Sequence, residues 1–454
     1  MAQAQMTQSE TETQTQTQNQ NLGAGAPKPV DYAKTYYAAT AHPQPPRPAL
    51  AGDVEADICV VGAGFAGIST ALHLAEKGMK VVVLEAAKVG FGATGRNGGQ
   101  IINGYSRDYD TIKARYGEDT ARAVLNMSFE GGNIIRERIA QYNIRCDHKK
   151  GSFFAAFTEK QLRDLEHGRK IWEGAGHTDL QMLDKTQIPQ VVDTNLYVGG
   201  MLDNWGGHIH PLNLVLGEAT ALEAHGGTIY EQSRVISIDK DSPRPVVKTA
   251  GGSVTAHYVV ICGNAYLGDT MPELTSRIMS VSSQVITTEP LGEELTKKMM
   301  PAGYCIEDCN YLLDYYRITA DHRLLFGGGV VYTGHSPDDV EKRLWPHVLR
   351  TFPYLEGKKV EFAWSGNFAL TLTRMPHIGR LNSKVYFIQG DSGHGVTTTH
   401  LLGRIVAEAI GHQTARFDVW AKMKNYPFPG GRMFRVPLTI LGAWYYGMRE
   451  KLGI

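Results

Sequence analysis

The run Val60-Val61-Gly62-Ala63-Gly64-Phe65-Ala66-Gly67 leaves this chain few ways to fold. It follows the apolar stretch Asp57-Ile58-Cys59 and opens a helix-like stretch over residues 68–78. A second apolar strand, Lys80-Val81-Val82-Val83-Leu84, ends in Glu85. Strand, glycine turn, helix, strand and terminal acid make one βαβ unit. Gly62 permits the tight turn. Gly64 lets backbone N–H groups approach a pyrophosphate at the helix N-terminus, and Gly67 lets helix and strand pack closely. Glu85 stands eighteen residues past Gly67, where a carboxylate accepts a ribose 2′-hydroxyl. A tight turn in an unrelated α/β protein would leave that acid unexplained, so the unit reads as dinucleotide-binding.

The 454 residues suffice for a large core and suggest two or three domains. A net charge of zero argues against a nucleic-acid partner, which needs a basic face. The five cysteines are scattered and odd in number. Cys305 and Cys309 have no second pair or histidine cluster beside them, so reduced thiols in a cytoplasmic protein without a structural metal are expected. Trp205-Gly206-Gly207-His208-Ile209-His210-Pro211 contains a His-x-His pair, but two ligands without further spaced partners make no metal site. Pro211 suits a first helical turn, which makes His210 a helix-entry residue. No basic-then-apolar leader and no apolar run long enough to span a bilayer are visible. The apolar stretch 436–446 is expected to be a packed C-terminal segment rather than a membrane-surface contact.

Residues 1–29 are Gln, Thr, Glu and Ala with almost no large apolar side chain, the composition of a disordered tail. An arm follows over 30–52, with Tyr32, Tyr36 and Tyr37 and then a Pro-rich stretch from His42 to Pro48. Two more strand-then-glycine segments occur far downstream: Val259-Val260-Ile261-Cys262-Gly263-Asn264-Ala265, and Val385-Tyr386-Phe387-Ile388-Gln389-Gly390-Asp391-Ser392-Gly393-His394-Gly395-Val396 before a helix-like run from Thr397. The expected fold is α/β, α+β overall. A Rossmann-like cofactor domain would be assembled from the discontinuous segments 53–145, 206–274 and 379–425. A mixed-sheet substrate domain with helices would come from 146–205 and 275–378, and 426–454 would form a C-terminal extension.

The fingerprint with Glu85, the run Ala93-Thr94-Gly95-Arg96-Asn97-Gly98-Gly99-Gln100, the strand end Ile261-Cys262-Gly263 and Gly390-Asp391-Ser392-Gly393-His394-Gly395 together resemble the D-amino-acid-oxidase superfamily of FAD-dependent amine oxidoreductases. The likeness covers roughly residues 55 to 412. Within it the chain is similar to gamma-glutamylputrescine oxidases and related polyamine-pathway oxidases. The carriers are Arg96-Asn97-Gly98-Gly99, Tyr315-Tyr316-Arg317, Leu324-Leu325-Phe326-Gly327-Gly328-Gly329 and Pro427-Phe428-Pro429-Gly430-Gly431. The resemblance implies that Gly62, Gly64, Phe65 and Ala66 hold the FAD pyrophosphate, and that Glu85 and Ala86 meet the adenosine ribose. Ala93, Thr94, Arg96, Asn97, Gly98, Gly99 and Gln100 would run along the pyrophosphate, ribityl chain and flavin. Val235 would offer backbone groups to the adenine. Cys262 and Gly263 would border the cofactor. Gly393, His394, Gly395, Val396 and Thr397 would meet the ribityl and pyrimidine end, where a helix N-terminus favours the charge of reduced flavin. For His394 a turn residue hydrogen-bonded to backbone is the plainer alternative.

Departures from the family matter equally. Some members attach flavin through a histidine where Arg96 stands, others through a cysteine in the stretch matching Trp364–Pro376, which here has none; FAD is therefore expected to be non-covalent. Amino-acid oxidases of the group clamp the substrate carboxylate with an arginine at the position of Phe368, and a phenyl ring makes no bond to a carboxylate. Tyr315, Tyr316, Trp364 and Phe368 are candidates for an apolar lining that keeps an amine uncharged, each equally readable as a sheet-core aromatic, and His394 is placed with them at the substrate pocket. Arg317 would orient substrate or flavin, or form a buried ion pair with a nearby acid. The readings that follow are a primary-amine oxidase using oxygen, on gamma-glutamylputrescine or a related polyamine derivative; the same chemistry as a dehydrogenase with a quinone or other electron acceptor, or an amino-acid oxidase; and a flavin-binding protein without turnover.

Overall fold

The computed structural model describes residues 29–331 and 337–431, with scattered positions between 434 and 448. Nearly all of the Gln/Thr-rich stretch lies outside the described residues. Among the described residues seventeen strands follow in chain order: β1 (Gly52–Val61), β2 (Val81–Leu84), β3 (Gln100–Ile101), β4 (Lys149–Ala156), β5 (Leu180–Asp184), β6 (Gly199–His208), β7 (Thr228–Tyr230), β8 (Val235–Asp239) and β9 (Val246–Thr249). Then come β10 (Gly252–Ile261), β11 (Ile278–Thr288), β12 (Cys305–Asp308), β13 (Asp314–Ile318), β14 (Leu324–Val331), β15 (Val360–Thr371), β16 (His377–Arg380) and β17 (Val385–Gln389).

They form two sheets. The first has eight strands in the order β16-β17-β10-β1-β2-β7, with β9 also on β10 and β8 on β9. From β17 to β7 its strands are parallel. Every residue of Val81–Leu84 is buried, as befits a parallel strand covered on both faces. The second sheet has nine strands, β15-β11-β14-β13-β12-β4-β6-β3 with β5 on β6. It is mixed: β12 runs parallel to β4, and the other pairs are antiparallel. β3 belongs to this sheet although it follows the fingerprint region, so residues 100–101 link the two halves.

Helices α1 (Phe65–Ala75), α2 (Glu130–Gln141), α3 (Pro211–Ala224) and α4 (Gly395–Ile410) pack together over the first sheet. A buried polar knot joins them. Glu218 of α3 accepts from Arg138 of α2 at 2.9 Å and lies 3.0 Å from Nε2 of His400 on α4. The His400 ring in turn packs at a tilt on Phe65, centroid to centroid 4.8 Å, at the start of α1. Burial alone would raise the Glu218 carboxyl, but His400 and Arg138 outweigh it and hold it at about 2. His210 is the residue before α3, and its Nδ1 accepts from the Asn213 N–H at 3.1 Å.

The arm runs over both halves. Tyr36 donates to Asp321 at 2.7 Å, and Tyr37 is fully buried with its ring edge-on to Trp364. Arg47 pairs with Glu223 at 2.7 Å. At the other end, the described part of 436–446 is not packed. Leu438, Ile440 and Leu441 are exposed, which corrects the expectation of a buried segment. The five cysteines form no disulfide. No described helix is long and apolar enough to cross a membrane.

Candidate active site

The turn after β1 is built from contacts that glycine alone allows. Gly62 adopts a φ of 103°, and a β-carbon on it would stand 2.9 Å from the Cys262 carbonyl oxygen. On Gly67 a β-carbon would lie 1.9 Å from the Gly62 carbonyl oxygen. Gly64 differs. Its φ of −82° suits any residue, and its β-carbon would meet only Thr94 Oγ1, at 3.1 Å. That one tight contact is the whole protein obstacle there, so the rest of the space beside Gly64 is room for a ligand at the N-terminus of α1. The Phe65 N–H donates to that same Thr94 oxygen at 3.0 Å, and Ala66 lies half-buried next to it.

Glu85 closes this end. Its two oxygens accept from the N–H groups of Ala63 at 2.8 Å and Ala87 at 2.9 Å, beside half-buried Ala86. Burial raises its carboxyl above the ordinary range while those N–H groups pull it down. Each oxygen retains acceptor capacity for a hydroxyl. The Ser233 N–H donates to the Glu85 carbonyl at 2.7 Å and brings the start of β8 alongside. The Val235 carbonyl there accepts from Thr270 at 3.4 Å.

The loop over 93–100 is folded by its own side chains. A short turn, Ala93–Gly95, leads into Asn97, whose amide donates to the carbonyls of Ala93 and Thr94 and accepts from the Gly99 N–H at 2.7 Å. Arg96 packs its guanidinium over Phe91 and donates to the Phe91 carbonyl at 3.0 Å. Gly98 lies so close to Tyr315 that a β-carbon would be 2.5 Å from the ring. Gln100 donates to the Ile306 carbonyl at 3.0 Å.

Two strand ends face this loop. Cys262 is buried, and burial pushes its thiol far up; Gly263 packs on Leu267. Next to them Asn264 donates to Asp391 at 2.8 Å and accepts from the Gly390 N–H at 2.9 Å, tying the end of β10 to the end of β17. Asp391 accepts from the Gly393 N–H at 3.1 Å. Gly390, Ser392 and Gly393 all have positive φ, and this left-handed run turns the chain into α4. His394 precedes that helix. Its own N–H donates to the Asp391 carbonyl, but its Nδ1 is buried with no hydrogen-bond partner. Burial lowers the imidazole to about 4, so it is neutral at pH 7. Gly395 and Val396 form the first turn, and Thr397 donates to the Ile102 carbonyl at 2.6 Å.

One face of the second sheet completes the enclosure. Trp364, Gly366 and Phe368 alternate onto it. Trp364 donates to the Arg96 carbonyl at 2.9 Å, Gly366 abuts the Arg96 side chain, and a β-carbon on Gly393 would lie 3.6 Å from Phe368. Ser283, opposite Gly366 in register, shares the face, and its hydroxyl is 3.2 Å from that of Tyr315. Tyr316 is not brought there. As the next residue in β13 it points to the opposite side, where its hydroxyl meets that of Tyr197 at 2.8 Å and its ring stacks on Phe326. Arg317 is on the Tyr315 side but pairs with no acid among the described residues. It donates to the carbonyls of Gly98 at 2.8 Å and Ile209 at 3.0 Å, and to the Tyr37 hydroxyl at 3.1 Å. The expected ion pair is thus replaced by carbonyl dipoles. Ser283 escapes sequence reasoning, and Asn264 and Asp391 enter it only as parts of strand-then-glycine segments without a role of their own. Among the described residues no cluster of three or more His, Cys, Asp or Glu could hold a metal.

The open Gly64 at a helix N-terminus, the acid at Glu85 and the orphaned nitrogen of His394 fit an FAD molecule laid from β2 to α4. Comparison with known proteins agrees. The family described as FAD dependent oxidoreductase (DAO) matches residues 57–409. The chain is 54% identical over 425 residues to the gamma-glutamylputrescine oxidoreductase of Escherichia coli strain K12, covering 93% of this chain and 100% of that protein. It is 40% identical to the probable oxidoreductase OrdL of Haemophilus influenzae, covering 93% and 98%. In fold it is similar to the crystal structure of glycine oxidase from Geobacillus kaustophilus, with a TM-score of 0.66 at 20% identity, covering 79% of this chain and 95% of that one. This chain belongs to the DAO family and is an FAD-dependent oxidoreductase.

Proposed function

We propose that the protein oxidises a terminal primary amine on an alkyl chain, gamma-glutamylputrescine or a related polyamine derivative, to an aldehyde with release of ammonia and hydrogen peroxide. The reading is carried by the full-length likeness to the Escherichia coli enzyme of that name. Phe368 supports it, since an apolar ring lies against Gly393 where amino-acid-oxidising relatives would need a cation. Overall, R–CH2–NH2, water and oxygen give R–CHO, ammonia and hydrogen peroxide. FAD, when bound, supplies the hydride acceptor at N5.

The chain's own residues would do the following. Gly62, Gly64, Phe65 and Ala66 hold the pyrophosphate through the α1 N-terminus, and Glu85 and Ala86 meet the ribose. Val235 borders the adenine. Residues 93–100, with Cys262 and Gly263, hold the middle of the cofactor. Gly393, His394, Gly395, Val396 and Thr397 present the α4 N-terminus to the pyrimidine end. Phe368, Trp364 and Tyr315 exclude water from the reacting carbon, which favours an uncharged amine. On this reading the segments of the first sheet hold the cofactor and the β11–β15 side of the second forms the substrate wall. No histidine occupies the Arg96 position and no cysteine lies in 364–376, so the flavin is held non-covalently; acid precipitation should leave all of it in the supernatant as FAD. Oxygen and another acceptor are separated by the peroxide formed per turnover.

The direct test is anaerobic reduction of the bound flavin by free polyamines, gamma-glutamylated polyamines and amino acids. Bleaching by a gamma-glutamylated amine supports the reading. Bleaching by amino acids alone, or by nothing, removes it.

A further inference from the structure

Strand β12, Cys305-Ile306-Glu307-Asp308, sends alternate side chains to opposite faces. Ile306 faces the Tyr316 side and packs in the second core; Asp308 points the same way and accepts from the N–H groups of Asn310 and Asp314. Glu307 is opposite Tyr315 in register and shares its face. That face is covered by the 93–100 loop: Gly98 presses on Tyr315, and Gln100 bonds the carbonyl of Ile306, immediately before Glu307.

The Glu307 carboxylate is half-buried and meets no donor among the described residues. On β13 it faces the phenol of Tyr315; the guanidinium of Arg317, two residues further along that strand, is engaged by Gly98, Ile209 and Tyr37. On β4 its register partner is Phe154. Cys305 and Cys309 flank it, both with thiols pushed up to about 12, and Asp308 follows it. Burial, then Asp308, raise the Glu307 carboxyl to about 8. A half-buried carboxyl with no protein donor keeps its acceptor sites open to a cationic ligand.

We propose that Glu307 is a catalytic residue that receives the ammonium end of the substrate and takes up its proton. This rests on the amine reading above. One N–H bond of the ammonium breaks, one O–H bond forms on the Glu307 carboxylate, and the electron pair stays on nitrogen, where it assists departure of the neighbouring hydride. No oxidant enters this step. The burial that weakens the acid also favours the neutral amine, so the two proton affinities approach each other.

The test compares the holoenzyme with Glu307→Gln and Glu307→Asp. For wild type, kcat/KM for a primary amine should rise with pH through about 8, as the carboxyl ionises. In Glu307→Gln that limb should vanish and kcat/KM at pH 7.5 should fall about 100-fold, the order expected for a lost general base. The residual activity should climb toward pH 10 with the free amine. Flavin content and absorbance should stay unchanged, and Glu307→Asp should keep the limb at a lower rate. A Glu307→Gln enzyme with the wild-type profile would overturn the proposal while leaving the amine reading intact. If Glu307→Gln does not fold, a Glu307→Asp enzyme with neither a lower rate nor a shifted limb would overturn it equally. Failure of every amine to reduce the wild-type flavin would instead remove the reading beneath it.

Discussion

Gly67 sits directly against Gly62: a β-carbon on the first would stand 1.9 Å from the carbonyl oxygen of the second. Gly64, between them, has no such conflict. Two substitutions in one motif should therefore fail differently. Gly67→Ala must push α1 away from β1 and should yield little folded protein. Gly64→Ala should fold with a melting temperature of the apoprotein close to wild type and bind FAD far more weakly. Circular dichroism and flavin titration of both variants check this; a yellow, stable Gly67→Ala would contradict it.

Tyr316 is a core residue on the far side of its strand. Tyr316→Phe should lose only the bond to Tyr197, about 1 kcal/mol of stability. Its kcat/KM should stay within about twofold of wild type, because the ring still packs on Phe326 and no group near the cofactor site moves. A large fall in kcat/KM at unchanged stability would place Tyr316 back in the site.

Glu218 makes the helix layer acid-sensitive. Its carboxyl is held at about 2 in the folded protein, below the roughly 4.3 of an unfolded chain. A lowered carboxyl stabilises the fold above the unfolded value and loses that contribution as pH falls from about 4.3 toward 2. Glu218→Gln should cost roughly 3–5 kcal/mol at pH 7, since Arg138 is left buried without its partner. The variant's urea midpoint should then fall less than that of wild type between pH 5 and pH 3. Parallel midpoints would exclude Glu218 as the cause.

Phe368 should decide between amines and amino acids. A carboxylate pressed on the ring would lose hydration and gain no partner, so glycine, sarcosine and D-amino acids should be poor substrates. Phe368→Arg should weaken turnover of a long primary amine by repelling the incoming ammonium. Steady-state rates on these compounds check it, and efficient oxidation of glycine by the unchanged protein would contradict it.

The βαβ unit was legible because its glycines do geometric work that no other residue can do. The second sheet was legible as strands but not by face. Tyr315 and Tyr316 are alike in sequence, and in a strand buried on both sides hydrophobicity does not say which one turns to the site. Only the register with Gly327 and Phe326 does. Glu307 was invisible for a related reason: an acid beside Asp308 reads as a pair of surface charges until the strand separates them. Arg317 invited a search for an acid, whereas its partners are two main-chain carbonyls and the Tyr37 hydroxyl, far away in the sequence.

The arm has a consequence for how the polypeptide is made. Tyr37 leaves the ribosome early, yet its seat is formed by His210, Arg317 and Trp364. Tyr36 waits for Asp321, 285 residues away. Until those partners emerge, two aromatic rings have nowhere to go and the rings of Phe362 and Trp364 that they would meet are not yet made. Closing so long a span is slow and leaves apolar surface bare in the meantime. Tyr36 and Tyr37 are thus among the first described residues to be made and among the later ones to be fastened, and a nascent protein halted before Trp364 lacks part of their seat.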